Sequence, residues 1–284
     1  MRITKLSLPL LAALLLNIVG CNDEDTGLAT LLAAQPDEVK ARYPYRNPQA
    51  TLEFFGIEPG MTVVEGLPGQ GWYTKLLLPY LGEGGTLIAA DYPMDMWPLF
   101  PFGTEEFIAE RSSWLDDFKV MAAEWGGGNA AAIETFRFGT MPEKFAGTAD
   151  VVLFARVLHN LARFEGQGGY LTNAVNDAYA VLKPGGTFGV VQHHARDDMP
   201  DDWADGSNGY LKKQFVIEQA EKAGFELVAE SEINANDKDR PGVEDVVWRL
   251  PPSFRGSRDN PEQMAEMQAM GESNRMTLRF QKPE

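Results

Sequence analysis

The feature that most constrains this chain is an alternation of short, wholly apolar runs with amphipathic helical patterns. The turn Gly56-Ile57-Glu58-Pro59-Gly60 precedes an apolar run at 61–65, and helical spacing follows at 73–81. A second turn, Gly82-Glu83-Gly84-Gly85, leads to a second run at 86–90 that ends at Asp91. Strands are predicted again at 149–154, 187–192, 225–231 and 276–280, and helices at 105–124, 171–182 and 216–223. Strands that alternate with helices imply a mostly parallel, doubly wound α/β sheet with helices on both faces. In such sheets ligands bind beyond the carboxyl ends of the strands, and candidate chemistry is sought there. Residues 28–55 carry two further helical patterns, and 92–104 and 235–272 read as insertions. Neither an internal repeat nor a second domain is evident.

The formal charge of −16 repels phosphate backbones, which argues against nucleic acid as a partner. One cysteine, Cys21, rules out an intramolecular disulfide, and without a Cys cluster no structural metal site is expected. Its position gives Cys21 another purpose. A basic stretch, Met1-Arg2-Ile3-Thr4-Lys5, precedes an apolar run at 6–19 that is short for a membrane span but suits a signal peptide. The run ends in Ile18-Val19-Gly20-Cys21, which resembles the bacterial lipobox. That resemblance implies diacylation of the Cys21 thiol, removal of residues 1–20 and acylation of the new amine, the several acyl chains giving a stable membrane anchor. Asn22 follows the cysteine, and by the same resemblance the periplasmic face of the outer membrane is the expected location. Residues 21–40 then read as tether and linker, and 41–284 as the folded domain.

The strongest chemical signal is Glu65-Gly66-Leu67-Pro68-Gly69-Gln70-Gly71-Trp72-Tyr73-Thr74, where a strand ends in an acid, turns through glycines and opens a helix. Close approach of a ligand to backbone needs residues without Cβ, here Gly69 and Gly71. The order from Gly66 is G-x-x-G-x-G, which excludes the dinucleotide fingerprint G-x-G-x-x-G. It resembles instead motif I of class I S-adenosylmethionine-dependent methyltransferases, with Leu67 standing at the first glycine of that pattern. Asp91 ends the second strand, where those methyltransferases hold the ribose hydroxyls. Val181-Leu182-Lys183-Pro184-Gly185-Gly186-Thr187 resembles their late L-K-P-G-G turn, a helix stop followed by a left-handed glycine.

With Arg156-Val157-Leu158-His159-Asn160, Ala223-Gly224-Phe225 and Met276-Thr277-Leu278-Arg279-Phe280, these stretches look like a bacterial group of methyltransferase-like proteins, several with signal peptides. The likeness spans roughly 40–284. It implies a Rossmann-like class I methyltransferase fold with a seven-stranded sheet, S-adenosyl-L-methionine as cofactor, and a small-molecule or envelope methyl acceptor. Cofactor contacts are expected from Glu65, Gly66, Gly69, Gly71, Trp72 and Asp91.

Methyl transfer needs alignment of the acceptor and, where the acceptor carries a proton, a base. Arg156, His159, Asn160 and His193 fall just beyond predicted strand ends and are the candidate catalytic residues; His194 looks incidental. Two histidines near Asp197, Asp198, Asp201 and Asp202 could ligate a metal, but the acids read better as a solvated loop. The aromatics Trp72, Tyr73, Tyr92, Trp97, Phe100 and Phe102 fit either a lid over substrate or packed core. A lipid-anchored binding protein that keeps the fold without methyl transfer is the alternative.

Overall fold

The computed structural model describes residues 27–284. Cys21 and the signal-peptide and lipobox readings lie outside the described residues. Seven strands form one sheet: β1 (Thr62–Gly66), β2 (Thr86–Asp91), β3 (Ala132–Arg137), β4 (Ala149–Ala155), β5 (Leu182–His193), β6 (Glu226–Ser231) and β7 (Arg275–Gln281). Their order is β3-β2-β1-β4-β5-β7-β6. The first five strands run parallel, and β7 enters antiparallel between β5 and β6. This is the Rossmann-like class I methyltransferase fold expected from the sequence.

Helices α1 (Gly27–Ala33), α2 (Asp37–Lys40), α3 (Tyr43–Arg46) and α4 (Pro48–Phe54) precede the sheet. Within it come α5 (Thr74–Leu81), α6 (Glu105–Ser112), α7 (Trp114–Gly126), α8 (Leu158–Arg163), α9 (Glu165–Gly168), α10 (Tyr170–Val181), α11 (Lys213–Lys222) and α12 (Pro261–Met270). Successive side chains of a strand point to opposite faces, so each central strand feeds two cores. Val63, Leu87, Ala89, Val151 and Leu153 pack under Leu28, Leu52, Leu76, Leu77 and Phe118 of α1, α4, α5 and α7. Val64, Ile88, Ala90, Val152, Phe154 and Phe188 pack on the other face with Leu158, Leu171, Val175 and Val216 of α8, α10 and α11. Burial on both faces is why the central strands read as unbroken apolar runs.

Three details depart from expectation. The strand β3 lies at the sheet's edge, and its first three residues are exposed or half-buried, so it lacks the apolar run that marks the others. The predicted helix over 105–124 is two helices, α6 and α7, broken at Ser113. The Lys183-Pro184-Gly185-Gly186 turn sits inside β5: pairing with β4 jumps from Ala149–Leu182 to Val151–Thr187, and Gly185 has φ 72°. The insertion at 235–272 contains α12, whose start is capped by the Asn260 side chain accepting from Gln263 N–H.

Candidate active site

The turn after β1 is held by backbone. Leu67 N–H donates to Ala90 O at 2.7 Å, and Gly71 N–H to Pro68 O at 2.9 Å. Leu67 has φ 49°, the left-handed region that a glycine enters without strain, which accounts for a glycine in the broad motif at this place. The glycines differ in what they permit. A Cβ on Gly66 would meet the Phe154 ring at 2.7 Å, and one on Gly71 the Trp125 ring at 2.1 Å, so both admit protein side chains. At Gly69 (φ 58°) the nearest atom to a Cβ would be Leu67 O at 3.9 Å, so bare backbone faces open space there.

The two expected carboxylates share a face. Glu65 is level with Ala89 on the neighbouring strand, and Asp91 stands two residues further on, so both point toward the α5 and α7 side. Neither is free. Thr74 Oγ1 donates to Glu65 Oε2 at 2.7 Å, and burial pushes the Glu65 carboxyl up to about 7. Asp91 accepts from Arg111 Nη2 at 2.5 Å; burial raises its pKa, and the guanidinium works against that rise. Arg111 ends α6 and lies over the indoles of Trp97 and Trp114, at 4.7 and 5.3 Å. Trp97 itself packs with Tyr92 and Phe100, while Phe102 is exposed. The aromatics of 92–104 are thus mostly core.

A small cavity of about 200 Å³ opens where the carboxyl ends of β1, β4 and β5 meet. Leu67, Arg156, His159 and His193 line it from the sheet, and Val247, Trp248, Leu250 and Ser253 from the opposite wall, with Glu272 and Ser273. His193 Nδ1 and Ser273 Oγ are hydrogen bonded at 2.6 Å. The His159 ring lies 5.4 Å from that of His193 and edge-on to Trp248. Burial, then the Arg156 charge, presses His159 down to about 4. Burial, His159 and Arg156 hold His193 well below its usual range. Both imidazoles are therefore uncharged at neutral pH.

Beneath the cavity lies a group of guanidiniums. Glu272 Oε1 accepts from Arg42 Nε at 2.6 Å and from Arg46 Nε at 3.2 Å, and Oε2 from Arg275 Nη1 at 3.3 Å. Burial alone would raise the Glu272 carboxyl, but these cations hold it below the ordinary range. Arg46 also stacks on Trp72, at 4.4 Å, and burial and the charge of Arg156 bring Arg46 down to about 9. Arg156, half-buried with φ 64°, makes no side-chain hydrogen bond or ion pair with any described residue.

The structure thus brings Arg156, His159 and His193 together. Asn160 stands beside them but donates to Tyr92 Oη at 3.1 Å, tying α8 to the segment after β2. Trp72 turns toward the N-terminal helices, donating to Val39 O at 3.3 Å. Glu65, Gly66, Gly69, Gly71 and Asp91 belong to the neighbouring turn, which reaches the cavity through Leu67. His194 forms a bridge with Leu211, and two of the four acids after it are engaged in surface pairs, Arg196–Asp198 and Lys212–Asp201. Sequence reasoning missed Trp248, Glu272, Ser273 and the arginines 42, 46 and 275, and no local pattern marks them.

No family model matches this chain, and no curated protein matches it. Among solved structures it is similar to an S-adenosylmethionine-dependent methyltransferase from Aquifex aeolicus, at 15% identity over 87% of this chain and 98% of that one, with a TM-score of 0.46. It is also similar to the YcgJ protein of Bacillus subtilis, at 14% identity over 84% and 98% of the two chains, with a TM-score of 0.49. A third is an arsenic(III) S-adenosylmethionine methyltransferase from Chlamydomonas reinhardtii, at 18% identity over 90% and 73%, with a TM-score of 0.43.

Proposed function

We propose that this chain is an S-adenosylmethionine-dependent methyltransferase whose small acceptor sits in the cavity of Arg156, His159 and His193. The observation that carries this is the double membership of Leu67. It belongs to the turn between Glu65 and Gly71, and it forms the cavity wall. The residues present fit an adenosyl group in kind: two acids on one face of adjacent strands, and bare backbone at Gly69 open to solvent. Asp91 would hold ribose hydroxyls by exchanging them for Arg111. The cofactor supplies an electrophilic methyl group when bound.

The chain's own part is to orient and desolvate. Ser273 fixes the ring of His193, Trp248 covers that of His159, and the 247–253 wall excludes water. Neutral imidazoles with such depressed pKa values take up protons poorly, so they align an acceptor by hydrogen bonding more than they ionise it.

Calorimetric titration with S-adenosylmethionine and S-adenosylhomocysteine tests the reading. Heat of binding that falls at least about tenfold in affinity in Asp91→Asn is expected, the loss of a charged hydrogen-bond acceptor. Absence of heat at millimolar ligand removes it. A second reading, a binding protein without methyl transfer, is favoured by one feature: Arg111 and Trp125 already cover Asp91 and Gly71 from within the protein.

The lipobox-like end of the leader supports anchoring through Cys21 at the periplasmic face of the outer membrane. Among the described residues no helix is long and apolar enough to cross a membrane. Labelled palmitate is expected to enter the native chain and not Cys21→Ser; equal labelling of the two rules out the anchor.

A further inference from the structure

Charge is unevenly settled around the cavity. Glu272 is the carboxylate at its floor, and three guanidiniums already occupy it: Arg42, Arg46 and Arg275. Four hydrogen bonds of 3.3 Å or less fall on its two oxygens, with Arg42 Nη2 in further ionic contact, so little acceptor capacity remains for a fourth cation. Arg156 is that fourth cation. It lines the cavity with no hydrogen bond or close ion pair of its own, feeling the already occupied Glu272 only at longer range, and its backbone is left-handed, which is strained for an arginine. The histidines of the wall, neutral or cationic, supply no negative charge to it, and Arg46 Nη1 is buried without a hydrogen bond. A protein with 41 acidic residues has thus kept four arginines around one carboxylate.

An unpaired, partly desolvated cation held in a strained conformation is costly unless a ligand completes it. The planar guanidinium matches a carboxylate in two-point geometry, and the polar wall of His193, Ser273 and Ser253 suits its neighbours. At about 200 Å³ the space is smaller than the usual small-molecule site and suits a small acid. We propose that this cavity binds a small carboxylate through Arg156, and that the methyl acceptor is such an acid: a nucleophilic atom of it would bond the methyl carbon as the sulfonium S–CH3 bond breaks, leaving S-adenosylhomocysteine and passing any proton it carries to solvent. Only the second half rests on the methyltransferase reading; the anion site stands without it.

Thermal melting of the whole protein with propionate, against propionamide and sodium chloride at equal ionic strength, tests the first half. Propionate is expected to raise the melting temperature, and the two controls to leave it in place. Arg156→Met should melt no lower than the native chain without ligand, since it removes an unpaired cation, and should weaken propionate at least about tenfold. A merely structural arginine would instead lower the melting temperature and leave any propionate response alone. Equal responses to propionate and propionamide, or an intact response in Arg156→Met, overturn the proposal.

A second arm locates the acid. If S-adenosylhomocysteine and propionate bind together, the carboxylate belongs to a separate acceptor, as proposed. If they compete, and Arg156→Met weakens S-adenosylhomocysteine while sparing 5′-methylthioadenosine, Arg156 serves the cofactor's own carboxylate and the acceptor assignment fails. If S-adenosylhomocysteine does not bind while propionate does, the methyltransferase reading falls and the anion site remains.

Discussion

Arg111 Nη2 lies 2.5 Å from Asp91 Oδ2, so the acid at the end of β2 meets a guanidinium where a sugar diol is expected. The pair is a latch between α6 and the sheet, and under the function proposed above a ribose would have to take Arg111's place on Asp91. Arg111→Leu leaves Asp91 buried without its partner. A cost of about 1–3 kcal/mol is expected, less than for a fully buried pair because the Arg111 side chain is 22% exposed. S-adenosylhomocysteine should bind this variant more tightly than the native chain, as measured by calorimetry. Weaker binding would mean that Arg111 assists the ligand and does not compete with it.

Glu65 makes stability fall with rising pH. Its folded pKa of about 7 lies above its ordinary value of 4.5, so the native state binds the extra proton. That contribution is whole below about 4.5 and is lost as pH rises through about 7. The linkage amounts to about 3 kcal/mol between the two limits. Glu65→Gln, neutral throughout, should gain on the native chain between pH 5 and pH 8 in urea unfolding. A difference that stays flat across this range would show Glu65 to be ionised in the folded protein.

His159 acts in the opposite sense. Its folded pKa of about 4 lies below the ordinary 6.5, so the unfolded chain takes up its proton first. Stability is complete above about 6.5 and declines as pH falls toward 4, by about 3 kcal/mol in all. His159→Gln should abolish that decline, read as the difference between variant and native chain over this window. Titration of the native imidazole by NMR near its ordinary value would contradict the burial that depresses it.

Gly206 holds the wall behind His159. A Cβ there would lie 2.1 Å from His159 O, and the residue has φ 97°, so Gly206→Ala meets both a backbone clash and a strained conformation. A loss of at least about 2 kcal/mol is expected in denaturant unfolding. Gly69→Ala has open space instead and carries only the cost of φ 58°, about 1 kcal/mol, so it separates backbone strain from collision. Equal losses in the two would refute the clash.

What the sequence reveals here is what local physics encodes. The strands β1, β2, β4 and β5 are buried on both faces, and unbroken apolar runs announce them. Glu65, Asp91, His159 and His193 are legible as candidates because strand ends are short-range features. The strand β3 escaped because Glu134 and Arg137 interrupt it at the sheet's edge. Arg111 reads as one more polar residue on an amphipathic helix, and nothing nearby in sequence says that it reaches Asp91, 20 positions away. Glu272 and its arginines are still more remote: Arg42 and Arg46 lie 230 and 226 positions from it. Such a cluster has no period and no motif, and only the packed chain assembles it.

The span between those partners has a consequence for how the molecule comes into being. Arg42 and Arg46 are made early, whereas Glu272 and Arg275 arrive with the last strand, which must slot between β5 and β6 before either can be met. Contacts between such distant positions carry a large loop-closure cost and close late. The cavity is therefore a keystone of assembly: its floor cannot be laid until residues 272–275 have emerged, and a chain cut before them would keep Arg42 and Arg46 without Glu272.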